Sequence, residues 1–176
     1  MASTYINDWL VKVLDAQANA TTVSFICSEF NGGELEREFD TDPRAGEAGV
    51  VPRPMKFGEL EVSMTVKMVT KEILDVLNTG IKNPISFQLS AATSDDAGVI
   101  TPYVYTVKGF VSKIPFGDIS ADASFEAEFT IKATYLNQTI GTGASQFELI
   151  YDPKNYLYSV NGVNQLADIK TSLGLV

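Results

Sequence analysis

Two stretches of the chain, residues 58–67 (GELEVSMTVK) and 124–133 (SFEAEFTIKA), alternate apolar and polar residues in the same order. A period of two places successive side chains on opposite faces of a β-strand. The pattern therefore predicts strands over 57–69 and 125–136, each with one apolar and one polar face. The apolar positions are Leu60, Val62, Met64, Val66, Phe125, Ala127, Phe129 and Ile131. The polar positions are Glu59, Glu61, Ser63, Thr65, Lys67, Glu126, Glu128, Thr130 and Lys132.

Further strands follow from the same pattern and from β-branched and aromatic content. They are expected over 22–30, over 83–91 with Ser86 and Gln88 on the polar side, and over 99–116 with Gly109 as a candidate bulge. Residues 147–152 and 156–162 read as a hairpin. The cluster at 5–14 is compatible with either a strand or a short helix.

Helical spacing occurs twice. In residues 70–80 (TKEILDVLNTG), Thr70 is a candidate N-cap, and Ile73, Leu74 and Leu77 are expected to share a face. Gly80 fits a C-terminal stop. Near the end of the chain, Leu166, Ile169 and Leu173 predict a short second helix.

Residues 31–54 (NGGELEREFDTDPRAGEAGVVPRP) are rich in glycine, proline and charge and match no local core pattern. A structureless segment of this length is unusual inside a compact domain, and it is typical of a functional loop. The sequence therefore predicts a long excursion that packs on something other than its own domain.

The composition favours one mainly β domain spanning residues 1–176. With 13 Lys and Arg against 22 Asp and Glu, the formal net charge is −9, which disfavours tight binding of nucleic acid. The N-terminus shows no signal-peptide pattern, and no apolar run is long enough to cross a bilayer, so a soluble protein made in the cytoplasm is expected.

Candidate chemistry is sparse. The chain has no histidine, and its single cysteine, Cys27, lies in an apolar run where an inert buried thiol is expected rather than a nucleophile. Paired glutamates such as Glu59 and Glu61 resemble a glycosidase pair, but neighbours two apart on a strand simply line a solvated surface. Asp40–Asp42 with Glu36 and Glu38 lacks the spacing of a calcium loop. We expect no catalytic, metal or cofactor site.

The two matching strands have a geometric consequence. If they pair antiparallel, the glutamate end of each faces the lysine end of the other. The result is a polar, mildly acidic wall. An ordinary solvent-facing sheet remains the alternative reading.

The C-terminal segment, residues 147–175, carries a specific resemblance. Its NGVNQL (161–166) and terminal LGL (173–175) are similar to the closing segment of the major tail tube protein of contractile-tailed bacteriophages, the family that includes the R-type pyocin tube. Upstream, an acidic loop with RAG (44–46), the strand over 57–67 and the helix over 71–79 follow in the family's order. Glu47 departs from the family, which often has glycine there.

The resemblance implies a β-sandwich or partial barrel of two orthogonally packed sheets, with one flanking helix, a short C-terminal helix and a long inter-subunit loop. It implies a non-enzymatic subunit of hexameric rings that stack into a tube in the virion tail, after assembly in the host cytoplasm. The implied partners are other copies, the sheath, the baseplate, the tail terminator, and the tape measure protein and DNA in the lumen, held without specific binding and without membrane insertion by the chain itself.

The resemblance also assigns roles to residues. The implied lumen-facing residues are Glu59, Glu61, Ser63, Thr65, Lys67, Ser86, Gln88, Glu126, Glu128, Thr130 and Lys132. The implied inter-subunit loop residues are Glu38, Asp40, Asp42, Arg44, Glu47, Val50, Val51 and Arg53. A soluble β-sandwich binding module for a small ligand or glycan is the rival reading, and a hydrolase using the paired glutamates is a weaker one.

Overall fold

Antiparallel strands dominate the computed structural model, which describes residues 5–14, 23–25, 27–42, 49, 51–67, 71–114 and 127–175. The strands are β1 (Tyr5–Leu14), β2 (Val23–Phe25), β3 (Cys27–Asn31), β4 (Arg37–Asp40), β5 (Arg53–Phe57), β6 (Leu60–Val66), β7 (Ile85–Ser94), β8 (Ile100–Lys113), β9 (Ala127–Ile140), β10 (Phe147–Asp152), β11 (Leu157–Val160) and β12 (Val163–Asn164). The helices are α1 (Lys71–Lys82) and α2 (Ala167–Ser172). The protein is therefore mainly β, as the sequence predicts.

Two 14-residue strands, β8 and β9, form the spine of a ten-stranded sheet. On one side of β8 lie β7, β1 and β2 in that order. Beyond β9 the sheet divides into two branches. The first half of β9 pairs with β6, which pairs in turn with β3, whereas its second half pairs with β10, which is followed by β11 and then β12. The described strands do not close into a barrel. This division gives the layered arrangement of a mainly β sandwich.

The core lies inside the curve of this sheet. Val62, Met64 and Phe129 on one branch are fully buried, as is Phe87 on β7. The rings of Phe87 and Phe129 meet at a centroid distance of 5.8 Å. The predicted apolar faces of β6 and β9 are thus buried, except that Phe125 lies outside the described residues.

Helix α1 flanks the sheet and packs mainly on β8. Ile73 and Leu77 are buried as expected, but Leu74 is 43% exposed and does not share their face. The prediction that the helix ends at Gly80 is also wrong, because the helix continues to Lys82 and Gly80 lies buried against Val111 and Ile85. The predicted N-cap, Thr70, lies outside the described residues.

The expectation that residues 31–54 lack their own structure is corrected. β4 and β5 pair antiparallel as a separate two-stranded ribbon, with Asp40 opposite Arg53. The single strand expected over 57–69 is also divided, since β5 ends at Phe57 and β6 begins at Leu60. The sequence pattern did not predict this ribbon, because its strands are mostly exposed, are rich in charge and proline, and lack an alternating apolar face.

The remaining expectations concern local detail. Residues 5–14 form a strand rather than a helix, and the register shifts at Gly109, as a bulge there predicts. The C-terminal hairpin and the short second helix are present, although Ile169 and Leu173 are exposed. No helix in the described ranges is long and apolar enough to span a membrane.

Candidate functional site

The polar sides of β6 and β9 form one continuous surface. The two strands pair antiparallel, so Glu61 lies opposite Lys132, Ser63 opposite Thr130, and Thr65 opposite Glu128. The burial pattern of each strand alternates with the same period, with these polar residues exposed or half-buried. The glutamate end of each strand therefore lies beside the lysine end of the other, as the sequence predicts.

Lys132 is the centre of an ion-pair cluster on this surface. Its Nζ lies 2.7 Å from Glu59 Oε2 and 3.4 Å from Glu61 Oε1. The hydrogen bond from Lys132 to Glu59 is the main reason that the pKa of this lysine is raised. Lys113 Nζ on β8 similarly lies 3.4 Å from Glu128 Oε2. The glutamates are thus partners of solvated lysines, an arrangement typical of a surface rather than of acid–base catalysis.

The surface extends onto β3 and β1, two strands that the sequence did not connect to it. On β3, Glu29 lies opposite Thr65 and Asn31 opposite Ser63. On the other side, Gln88 of β7 lies opposite Lys12 of β1. We call the outward side chains of β1, β7, β8, β9, β6 and β3 the polar face.

Lysines from β1 and β8 alter the charge expected for the polar face. Ser86 of β7 lies opposite Lys108, which is exposed, so this part of the face is basic. Among the described residues, the face carries the carboxylates Asp8, Glu29, Glu59, Glu61 and Glu128 and the lysines Lys12, Lys67, Lys108, Lys113 and Lys132, where Glu59 and Lys67 flank β6. The described face is therefore balanced in charge rather than acidic. The sequence signal for the extra lysines is their placement between apolar neighbours, as in VKV (11–13) and VKG (107–109).

Two predicted wall residues need separate mention. Lys67 follows the last residue of β6 and is exposed, while Glu126 lies outside the described residues. In the described parts of the chain, no group of three or more histidine, cysteine, aspartate or glutamate residues is placed to hold a metal ion.

The ribbon of β4 and β5 projects as an arm, which we define as residues 37–57. At its base, the Arg37 guanidinium lies 5.5 Å from the centre of the Phe57 ring, and Arg37 Nε donates a hydrogen bond to the Met55 carbonyl. Phe57 packs on Tyr151 and Tyr158, with ring centroids 5.6 and 5.0 Å away. The base of the arm is therefore fixed on β10 and β11.

Beyond its base the arm is exposed. Phe39, Val51 and Met55 expose between 49% and 55% of their surface, so the described arm presents several large apolar side chains to solvent. Glu38 and Asp42 are exposed, and Asp40 is half-buried. Of the other predicted loop residues, Arg53 belongs to β5, whereas Arg44, Glu47 and Val50 lie outside the described residues.

The connection from β3 to the arm is held by Tyr105. This buried tyrosine on β8 donates its hydroxyl hydrogen to the Gly32 carbonyl, and its burial raises the pKa of the phenol. Asn31 Oδ1 accepts a hydrogen bond from the Gly33 backbone N–H at 3.0 Å. Gly33 has φ +72°, and a Cβ there would lie 2.0 Å from the Glu61 carbonyl oxygen. The arm thus leaves the sheet through a fixed turn.

An apolar cleft of about 500 Å³ lies between β1 and β3. Ile6 and Trp9 line it on one side and Phe30 on the other, with Leu89 and Tyr103 also on its walls. No pattern in the sequence indicates this cleft, because the cleft depends on two described strands that do not pair with each other.

Cys27 begins β3 and is half-buried rather than fully buried. Burial is the main reason that the pKa of its thiol is raised, and Sγ donates a hydrogen bond to the Glu29 carbonyl at 2.9 Å. A raised pKa lowers the thiolate fraction, so this environment favours the inert thiol that the sequence predicts.

Comparison with known proteins identifies the chain's relatives. A family profile described as "Phage tail tube protein FII" matches residues 15–174. A search of curated proteins gave no match. Among solved structures, the chain is similar to one described as the sheath/tube terminator of an extracellular contractile injection system, PVC, in its extended state. That similarity has a TM-score of 0.56 and 15% identity, over 75% of this chain and 93% of the other.

A second similar structure is described as the baseplate of the anti-feeding prophage. Here the TM-score is 0.53 and the identity 11%, over 74% of this chain and 91% of the other. At these identities the two likenesses concern the fold.

Proposed function

Because the chain belongs to the phage tail tube protein FII family, we propose that it is a non-enzymatic structural subunit that assembles into hexameric rings, which stack into the tube of a contractile tail. Tubes of this kind serve either to conduct DNA or to puncture a target. The proposal places the protein in the tail of a phage or phage-like particle, assembled from subunits made in the host cytoplasm.

The observation that supports this proposal is a sheet with one polar face and an open edge. One face of the sheet supplies the core, and the opposite, polar face continues across six described strands. Within the described chain, β3 pairs with β6 on one side and offers its other edge for pairing. Open edges favour pairing with further strands, and ring closure removes them.

In this proposal the polar face lines the lumen. Glu59, Glu61, Ser63, Thr65 and Lys132 then look into the channel, as do the remaining polar positions of the two matching strands and Ser86 and Gln88 of β7. Lys113 and Lys132 are already paired with glutamates, and carboxylates match the lysines of the described face in number, so the wall has little net positive charge with which to hold phosphates. DNA or a tape measure protein would therefore pass without being held.

The arm is proposed to make contacts between subunits and between rings. Its exposed apolar residues have no packing partner within the described arm that buries them. Sheath, baseplate and terminator proteins are the proposed partners beyond other copies. The likeness to a sheath/tube terminator and to a baseplate structure supports these partners.

Electron microscopy of the purified protein tests the proposal. We expect rings or tubes with sixfold symmetry, and we expect deletion of residues 40–52 to abolish stacking while the subunit stays folded by circular dichroism. A protein that remains monomeric at high concentration would contradict the proposal. Normal tubes from the deletion variant would instead remove the arm from the interface.

A binding module for a small ligand is the second candidate. The apolar cleft beside Trp9 favours it, because its volume falls within the range of ligand pockets. This candidate requires a monomer whose cleft binds a small molecule, and it leaves the arm without a role. The same measurement of assembly state separates the two candidates.

A further inference from the structure

The cleft between β1 and β3 is an open apolar cavity of about 500 Å³. Ile6 at its rim is 68% exposed, and Trp9, the single tryptophan of the sequence, is half-buried on its wall. Large exposed apolar surfaces on soluble proteins mark interaction sites. A complementary apolar group therefore belongs in this cleft.

The described part of the arm of the same chain does not supply that group. It is tied by Phe57 to Tyr151 and Tyr158 on β10 and β11, whereas the cleft is bordered by β1 and β3. No described residue of the arm lines the cleft. The turn at Gly32 and Gly33, held by Tyr105, fixes the direction in which the arm departs.

The arm nevertheless carries apolar side chains of suitable size. Phe39 lies opposite Pro54 in the ribbon, and Met55 is the next residue along β5, so Phe39 and Met55 lie on opposite faces of the same short stretch of the ribbon. Phe39 is 55% exposed and Met55 50%. Aromatic residues and methionine are enriched in protein interfaces.

Charge also favours this pairing. Glu29 stands on the lining of the cleft, and the exposed Lys56 follows Met55 on the arm. An arm that enters the cleft with Met55 brings Lys56 toward an acidic rim. Such complementarity selects orientation more than it adds affinity.

We propose that the apolar residues Phe39 and Met55 of one copy's arm insert into the cleft of a neighbouring copy, against Ile6, Trp9 and Phe30. The two surfaces lie on different parts of one chain, so the contact is head-to-tail. Contacts of this kind generate rings or open helical stacks, according to the rotation between copies. The inference rests on the proposed tube function, and it assigns the receiving surface and the residues that enter it.

A mixing experiment with two variants tests the docking. The receiver carries F39S and M55S, so it keeps Trp9 and an open cleft but lacks the apolar arm. The donor carries W9F and I6E, so it keeps the arm, does not emit tryptophan fluorescence and has a damaged cleft. The matched control donor carries all four substitutions. Circular dichroism establishes that each variant is folded.

We expect the donor to shift the receiver's Trp9 emission to the blue in a saturable manner, because the arm excludes water from the indole. Restoring one of the two arm residues in the control donor should recover part of the shift. Removal of each should raise the donor concentration at half-maximal shift about tenfold, the effect typical of a buried interface residue.

Several results would overturn the docking. One is an emission that the donor leaves unchanged, and another is an equal shift with the control donor. A third is a receiver whose emission is already blue-shifted and unaffected by any donor, because the receiver's own chain would then fill the cleft. If wild-type tubes form while the donor has no effect, the docking fails and the tube remains. If the donor acts but no rings or tubes form, the docking remains and the tube proposal fails.

Discussion

Tyr105 shows how one residue links the core to the arm. Its ring lies in the core, 5.2 Å from the Phe30 ring, and its hydroxyl donates to the Gly32 carbonyl at the start of the turn that leads to the arm. A buried acceptor that loses its donor costs more than the bond itself contributed. The hydroxyl therefore matters to stability as well as to the direction of the arm.

Replacing Tyr105 with phenylalanine should lower the free energy of unfolding by about 1–2 kcal/mol at pH 7, because the Gly32 carbonyl loses its donor. Denaturant unfolding measures this value. Tyr5→Phe is the matched control, since Tyr5 is 57% exposed, and it should change stability little. Equal effects of the two substitutions would contradict the role given to the hydroxyl.

The same tyrosine predicts a loss of stability in alkali. Burial raises the pKa of Tyr105, and burial also raises the pKa of Tyr103 and Tyr151. Above a pH of about 10 the unfolded chain loses phenolic protons that the folded chain keeps, so the free energy of unfolding falls as pH rises. Below that pH the contribution is constant. The decline should be shallower in Tyr105→Phe, and a parallel decline would contradict this assignment.

Gly109 is a second residue whose neighbours determine its identity. A Cβ at this position would lie 2.2 Å from the Lys132 carbonyl oxygen, where β8 bulges against β9. We expect Gly109→Ala to lower the free energy of unfolding by about 3 kcal/mol or more, because backbone must shift. Gly98→Ala is the control. It has φ +77° but no atom within 4 Å, so the cost should be about 1 kcal/mol. Similar losses would contradict the steric argument.

At the scale of an element, Gly80 of helix α1 serves close packing of the helix on the sheet rather than ending the helix. Gly80 lies in the last turn of the helix, buried against β8 and the start of β7. A Cβ there would lie 2.5 Å from Val111 Cγ2 and 2.7 Å from Ile85 Cδ1. The glycine allows the helix to approach the sheet, which explains why a residue of low helix propensity occurs inside it.

Gly80→Ala should destabilise the protein although alanine favours helix by about 1 kcal/mol over glycine. Val111 is β-branched and buried, so it moves little to accommodate the new methyl group. The double variant with Val111→Ala should lose less than the sum of the two single losses. Asn78→Ala, at an exposed position of the same helix, is the control and should be neutral or stabilising. Stabilisation by Gly80→Ala would contradict the packing role.

At the scale of the whole molecule, the charge balance of the polar face is the property that the proposed channel needs. Lys132 and Lys113 already contact glutamates, so the carboxylates neutralise the lysines locally. Removing the carboxylates would leave a cationic wall. The face would then attract phosphates, with an affinity that falls as salt rises.

Replacing Glu59, Glu61, Glu126 and Glu128 with lysine should produce tubes that retain nucleic acid through purification. Nuclease-protected nucleic acid in the tubes is the measurement, made at low and at high salt. Wild-type tubes should retain little. The control variant places four lysines on exposed acidic positions away from this face: Glu34, Asp75, Asp96 and Asp168. Retention by the control alone, or by neither variant, would contradict a lumen-facing polar face.

Patterns along the chain predict the parts of this protein that depend on residues close together in sequence. Alternation of apolar and polar residues located β6 and β9 and identified their buried faces, and helical spacing located α1. The turn residues near Pro153 located the C-terminal hairpin. These patterns are local because one face of each element must leave water, and burial repeats with the period of the element.

Features that depend on pairing between distant segments required the folded structure. It assigned residues 5–14 to a strand beside β7, and it folded part of the 31–54 segment into a projecting ribbon. It also brought Lys12 and Lys108 onto the polar face, and it placed Trp9 and Phe30 on one cleft. Charge along the chain is a sum over residues, whereas the charge of a surface depends on which strands are adjacent and in which register. Those two properties are set by non-local hydrogen bonding and core packing.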